Sequence, residues 1–190
     1  MISAILLAAG QSKRMNGENK LTKKIQGTPL IKRSVQNILA SSIDELIVVL
    51  GYQKEIIEKL IDKNKKIKFV FNKDFESGMA SSIKVGLNHL SKNTEYFFIC
   101  LGDMPMVNSD IYNQLIKSRN QKNIIVPTYN GQQGNPVLFD KSMKETAMHI
   151  TGDVGAKKIL ELNKDKILNL EIYDQSITKG FNTQGDFSSL

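Results

Sequence analysis

Cysteine is almost missing from this chain. The 190 residues hold one, Cys100, which excludes an internal disulfide and any zinc site built on a cysteine cluster. Histidine is nearly as scarce. His89 falls on a helical stretch and His149 near a helix end, so both read as structural. No Ser/His/Asp or Cys/His arrangement for covalent catalysis is in view. Long apolar runs are missing too, and none approaches the roughly 18 residues that a membrane span needs. The first residues, Met1 to Leu7, carry no basic segment; no signal peptide is expected, and the expected compartment is the cytoplasm.

Arginine occurs only at Arg14, Arg33 and Arg119, so almost all of the 26 basic side chains are lysine. They outnumber 19 acidic ones, for a net charge of +7. Lysine reads phosphate with less geometric selectivity than arginine. Its local runs are short, as at Lys23-Lys24 and over residues 63–68. No nucleic-acid partner is expected; a lysine-rich surface that steers a small polyanionic substrate is the better account.

Apolar runs alternate with amphipathic stretches. Strands are expected over 3–7, 46–50, 67–71, 96–101, 124–127 and 136–139, with a weaker one over 167–172. Helices are expected over 30–40, 53–63, 80–90, 109–118, 141–149 and 155–163. Several strands are continuously apolar, the mark of a sheet covered on both faces. The alternation predicts a three-layer, Rossmann-like α/β fold with a mostly parallel central sheet, and residues 1–190 read as one domain. In such sheets, ligands gather outside the carboxyl ends of the strands.

The segment after the first strand, Leu7-Ala8-Ala9-Gly10-Gln11-Ser12-Lys13-Arg14 through Lys20, is chemically distinctive. Small side chains let backbone approach a ligand, Gly10 permits a turn, and exposed N–H groups with Arg14 and Lys20 suit phosphate oxygens. It is neither a Walker A loop nor a dinucleotide-binding glycine motif.

Leu7-Ala8-Ala9-Gly10 with Ser12, Arg14-Met15 and Lys20 resembles the signature of nucleotidyltransferases with a GT-A-like fold. Four segments in order narrow the likeness: 72–83 (through Gly78-Met79-Ala80-Ser81-Ser82), Leu101-Gly102-Asp103-Met104-Pro105, Gly131-Gln132-Gln133-Gly134-Asn135-Pro136, and Thr151-Gly152-Asp153-Val154-Gly155-Ala156. Together they resemble the molybdenum cofactor cytidylyltransferases, with MobA-like NTP transferase domains, over essentially the whole chain.

That resemblance implies transfer of CMP from CTP to molybdenum-molybdopterin, giving the cytosine dinucleotide cofactor and pyrophosphate. It implies Lys20, Arg14 and Asp103 as catalytic residues. Nucleotide contacts would come from Leu7, Ala8, Ala9, Gly10, Gln11, Ser12, Gly78, Ser81 and Ser82, and acceptor contacts from Gly134, Asn135, Pro136 and Asp153. Mg²⁺, with Mn²⁺ as the alternative, would sit on Asp103 and Asn182. Asp103 suits this: it follows an apolar strand, Gly102 allows close approach, and Pro105 biases Met104 to extended backbone. Ala9 favours a pyrimidine, because a methyl group beside the base narrows the pocket.

The sequence departs from the family pattern at Asn16 for Gly, Gln133 and Lys157 for Arg, and Gln184 for Pro. Gln133 and Lys157 bear on the acceptor. Alternatives are another nucleotide such as GTP, a sugar or polyol phosphate acceptor, or a non-catalytic carrier of the finished cofactor to an apo-hydroxylase. Expected partners are therefore CTP, a molybdopterin-type substrate, and a molybdenum hydroxylase client or cofactor chaperone.

Overall fold

The computed structural model of the protein describes residues 1–12, 15 and 18–188, with Gln184 and Ser188 as backbone only. Arg14 and Asn16 lie outside the described residues. Strands β1 (Ile2–Ala8), β4 (Glu45–Leu50) and β6 (Tyr96–Leu101) form the centre of the sheet. Their side chains alternate between two cores. Ala4, Leu6 and Ala8 join Leu46, Val48, Leu50, Phe98 and Cys100 on one face. Ile5, Ile47, Val49, Phe97 and Ile99 point to the other. A strand buried on both faces has no polar position to spare, which explains the unbroken apolar runs.

The path of the sheet is β10-β7-β9-β6-β1-β4-β5, with β5 at Ile67–Phe71, β7 at Ile124–Tyr129, β9 at Val137–Asp140 and β10 at Ile167–Glu171. A short β8 (Gln132–Gln133) pairs with β7. The β1–β4, β1–β6, β4–β5 and β7–β10 pairs are parallel. Besides the short β8, antiparallel to β7, one strand breaks the pattern: β9 runs antiparallel to both β6 and β7. It starts at Val137, not at Pro136 as the sequence led one to expect. Its Phe139 lies opposite Phe97, and the two rings stack at 5.3 Å. A two-stranded hairpin, β2 (Lys24–Ile25) with β3 (Thr28–Pro29), precedes the first helix.

Helices cover both faces. On one side α1 (Leu30–Leu39) buries Leu30, Ile31, Val35 and Ile38 at helical spacing, and α4 (Ser109–Lys117) buries Ile111, Tyr112, Leu115 and Ile116. Asn108 caps α4, its side chain accepting from the Asp110 and Ile111 amides; such caps satisfy backbone donors that a helix start leaves unpaired. On the other face lie α3 (Met79–Asn88), α5 (Lys144–Met148) and α6 (Ala156–Leu162). Two helices are shorter than their periodicity implies. The second, α2 (Lys54–Lys59), begins after Gln53, whose left-handed φ of 52° cannot continue a helix, and α5 is preceded by a 3₁₀ turn at Lys141–Met143. A final helix, α7 (Gln184–Ser188), was not anticipated. Among the described residues, no helix is long and apolar enough to cross a membrane.

Candidate active site

Because β1, β4, β5 and β6 are mutually parallel, their carboxyl-end loops meet at one edge of the sheet. There they enclose a cavity of about 520 Å³. Its wall is made of Leu7 to Ser12 after β1, Lys20 and Leu21, Phe75 to Met79 and Ser82 after β5, Leu101 to Asp103 after β6, and then Asp153 and Asn182. Chain segments far apart in sequence thus contribute to one concavity.

Lys20, Asp103 and Asn182 converge. The Lys20 ammonium donates to Asp103 Oδ2 at 2.5 Å and to Asn182 Oδ1 at 2.8 Å. An ammonium can only donate, so the Asn182 amide must present its oxygen here. Asp103 is fixed from behind: the Phe181 amide donates to its carbonyl at 2.9 Å, and the Gly102 amide to the Leu7 carbonyl at 3.1 Å. A β-carbon on Gly102 would stand 2.9 Å from that Leu7 oxygen, so only glycine lets β6 run so close past β1. Asn182 is fixed by its amide on Asp186 Oδ2 at 2.8 Å, with Thr183 donating to the same oxygen.

The first loop has a different turn from the one expected. A side chain at Gly10 would meet open space; among the described residues of the loop, the left-handed one is Ser12, at φ 53°. Its hydroxyl accepts from the Lys20 amide at 3.1 Å, tying the loop to the base of the catalytic lysine candidate. Ala9 is 4% exposed, and a β-carbon built on Gly51 would lie 2.7 Å from its methyl. The methyl therefore packs towards the 51 and 75 positions. Gln11 crosses the mouth to donate to Glu76 Oε1 at 2.8 Å.

Asn72, at the end of β5, organises the next wall. It is 1% exposed. Its amide nitrogen donates to Ser81 Oγ at 2.8 Å and Ser82 Oγ at 2.9 Å, and its oxygen accepts from the Asp74 amide at 3.0 Å. Ser82 lines the cavity. Ser81 does not: its hydroxyl faces the Gly78 and Asp74 carbonyls at 2.8 and 3.0 Å, which makes it a structural brace. Asn72, Phe75, Glu76 and Met79 were not singled out from the sequence. The extended-then-Gly stretch from 72 to 78 was the available signal.

Asp153 lines the same cavity as Lys20 and Asp103. Its Oδ1 accepts from the Met79 amide at 3.2 Å, and the Gly152 carbonyl accepts from the Ala80 amide at 3.1 Å, so residues 152–153 cap α3. Gly134, Asn135 and Pro136 do not line this cavity. Gly134 and Asn135 are packed on the turn at Gln175–Thr178, where the Asn135 amide donates to the Ile177 carbonyl at 2.8 Å. The two histidines are braces: Nδ1 of His89 donates to the Val85 carbonyl and Nδ1 of His149 to that of Glu145.

The donor set fits a divalent cation that works with phosphates. Among the described residues no group of three or more His, Cys, Asp or Glu side chains could hold a metal alone. Asp103 and Asn182 offer one carboxylate and one amide oxygen aimed at a common point, and Mg²⁺ ordinarily completes its shell with water and substrate phosphates. Among the described residues the wall sets the Lys20 ammonium against the carboxylates of Glu76, Asp103 and Asp153. A triphosphate entering here needs added positive charge, and a metal supplies it.

Comparison with known proteins agrees with this geometry. The chain is 27% identical over 186 residues to the molybdenum cofactor cytidylyltransferase of Escherichia coli, covering 98% of this chain and 93% of that one. It is 32% identical over 131 residues to a probable molybdenum cofactor guanylyltransferase of Methanosarcina acetivorans, covering 67% of this chain but only 57% of the relative. Among solved structures, Rv0371c of Mycobacterium tuberculosis superposes with a TM-score of 0.87 at 22% identity, covering 99% of this chain and 96% of that one; it has also been solved in complex with manganese. A nucleotidyl transferase of Methanothermobacter superposes with a TM-score of 0.86 at 18% identity, covering 100% and 95%. The model of one family, the MobA-like NTP transferase domain, matches residues 4–167, and this chain belongs to it.

Proposed function

We propose that the chain transfers CMP from CTP to the terminal phosphate of molybdenum-bearing molybdopterin, releasing pyrophosphate. The observation that carries the reading is the convergence of Lys20, Asp103 and Asn182 in a cavity walled by the Leu7-to-Ser12 loop. No protein nucleophile is required, since the acceptor phosphate is itself an oxyanion. The protein's task is to align two anions and offset charge on the leaving group.

Under this reading the Leu7-to-Ser12 backbone, Gly78 and Ser82 hold the nucleotide, and Lys20 follows charge onto pyrophosphate. Arg14 binds the phosphates in the ground state. Asp103 and Asn182 hold Mg²⁺ or Mn²⁺, which supplies Lewis-acid polarisation of the phosphates when bound. Asp153 caps α3 and so shapes the nucleotide wall; Gly134, Asn135 and Pro136 remain the acceptor candidates outside this cavity. Residues 1–190 act as one domain in the cytoplasm, with a molybdenum hydroxylase as client.

Relatives of both kinds, a cytidylyltransferase and a probable guanylyltransferase, align over most of both chains, so the preference for cytidylyl transfer rests on position 9, where Ala in place of a second glycine resembles the cytidylyltransferases. A thermal-shift panel with Mg²⁺ and CTP, GTP, ATP or UTP tests the base, because selective binding raises apparent stability by mass action. The largest shift is expected with CTP; an equal or larger one with GTP removes the cytidylyl assignment and leaves nucleotidyl transfer standing. Pyrophosphate release with CTP and molybdenum-loaded pterin separates an enzyme from a cofactor carrier, which would release none.

A further inference from the structure

We infer that Lys20 is a resident counter-cation of the metal donors, and that it makes loading of a divalent cation depend on a polyphosphate. The inference rests on the reading of Asp103 and Asn182 as those donors. The point within bonding reach of both oxygens is held by the Lys20 nitrogen, 2.5 Å from one and 2.8 Å from the other. The contact is sheltered, with the Lys20 and Asp103 side chains 18% and 15% exposed.

The donors are pinned without the lysine's help. Asp103 is held through its backbone by Phe181 and by the close passage of Gly102 over Leu7. Asn182 is held through its amide by Asp186, and its side-chain nitrogen donates to the Gly180 carbonyl at 3.3 Å. Lys20 is pinned only at its base, where its amide meets Ser12 Oγ. Beyond that point a four-carbon stem carries the charge. Among the described residues, two oxygens on short, backbone-anchored side chains therefore face a cation on a long stem, and the longer side chain is the one that can yield.

Two cations cannot share that point. Mg²⁺ and Mn²⁺ bind oxygen, an ammonium offers them no lone pair, and like charges repel strongly where water is partly excluded. A metal arriving alone has to displace Lys20 from Asp103 and Asn182, and among the described residues the other carboxylates of the wall, Glu76 and Asp153, already accept from Gln11 and the Met79 amide. A triphosphate arriving with the metal gives the ammonium a new set of anionic oxygens, and the stem can swing to them. Metal and nucleotide then bind with positive coupling, and by linkage each tightens the other by the same factor. This would keep the site from holding a cation with no substrate present.

The test is nucleotide-free Mn²⁺ binding, read from the loss of the free-ion electron paramagnetic resonance signal. It compares wild type, Lys20→Met, Lys20→Arg, Asp103→Asn and the Lys20→Met/Asp103→Asn double variant, each checked for folding by circular dichroism. Lys20→Met should bind Mn²⁺ about ten-fold tighter than wild type, since it removes a competing unit charge at contact distance. Lys20→Arg keeps the charge and should stay near wild type, and the double variant should lose the gain. By calorimetry, saturating Mn²⁺ should tighten CTP by a larger factor in wild type than in Lys20→Met. If Lys20→Met gains nothing while Asp103→Asn weakens Mn²⁺ binding, the counter-cation role is wrong and the metal site stands. A gain in Lys20→Arg as well points to shape instead of charge and overturns the inference. If Asp103→Asn leaves Mn²⁺ binding intact even beside Lys20→Met, the metal reading falls and takes the inference with it.

Discussion

Gly78 and Gly152 meet backbone to backbone: a β-carbon at 78 would stand 2.6 Å from the Gly152 carbonyl carbon and 2.7 Å from the Asp153 amide nitrogen. Gly78 also has a φ of 109°, a region that side chains disfavour. This contact seats residues 152–153 on the first turn of α3 and brings Asp153 into the cavity. Gly78→Ala should therefore do two things. It should cost about 1–3 kcal/mol for backbone strain, measured by urea denaturation, and it should raise KM for the nucleotide by moving the wall that carries Met79 and Ser82. A variant with unchanged stability and KM would show that the seating of 152–153 matters to neither.

Asn72 is the buried brace of the same wall. Each of its amide hydrogens meets a serine hydroxyl, and its oxygen holds the Asp74 amide. Truncation leaves those groups without their partner in a dry setting. Asn72→Ala should lose about 2–3 kcal/mol and weaken CTP binding, because Ser82 loses its orientation. Ser81→Ala removes one brace outside the cavity and should be milder in both respects. If Ser81→Ala proved the more damaging to CTP affinity, Ser81 would have to be returned to the binding wall.

Asp103 and Lys20 should respond differently to removal. Asp103→Asn keeps the shape and the Phe181 contact, which runs through the backbone, so its melting temperature should move little. Its turnover should fall by about 100-fold or more, the scale of losing a positioned charge at a reacting phosphate. Lys20→Ala should lower kcat more than it raises KM, as expected for a group whose interaction grows with charge on the leaving group. Steady-state pyrophosphate release gives both parameters. A pure KM effect in Lys20→Ala would reassign the lysine to ground-state binding.

How much of this was legible in the sequence follows physical lines. The central strands declared themselves because a doubly buried strand must be apolar throughout, as in β4 and β6. Asp103 was visible because it sits just past the end of β6, and Lys20 because the family motif that opens after the first strand extends to it. The sense of β9 was not: a four-residue apolar run has no direction written in it, and pairing with β6 and β7 decides it. Ser81 and Ser82 are neighbours with the same chemistry; helix phase alone turns Ser82 to the cavity and Ser81 to the Gly78 and Asp74 carbonyls. The resemblance implies an acceptor contact for Asp153, and the structure sets it in one cavity wall with Gly78 and Ser82. The contact that seats it on α3 joins residues more than seventy positions apart, and no local pattern reports such a meeting.

The last prediction concerns Cys100, which the proposed reaction leaves unused. It lies within β6 and is 1% exposed, beneath Tyr112, whose ring packs edge-on against Phe98 at 5.3 Å. Burial pushes its thiol up to about 12 from an ordinary 9.0, with the Tyr112 hydrogen bond opposing in part. The thiolate is the reactive form, so the native protein should resist a disulfide-exchange reagent at pH 8 and react at once in denaturant. The same shift has a sign for stability. Between pH 9 and about 12 the unfolded chain loses the thiol proton while the folded chain keeps it, so stability must fall as pH rises. One such group contributes a slope of up to ~1.4 kcal/mol per pH unit. Tyr112, also raised by burial from its ordinary 10.0, steepens the loss higher in the range. Cys100→Ala should be less stable than wild type at pH 7, through lost packing and an unpaired Tyr112 hydroxyl. The gap should then narrow as urea midpoints are followed from pH 8.5 to 10, since Tyr112 is present in both proteins and the thiol in one. A constant gap across that interval would mean the thiol ionises as readily in the folded protein as in the unfolded chain.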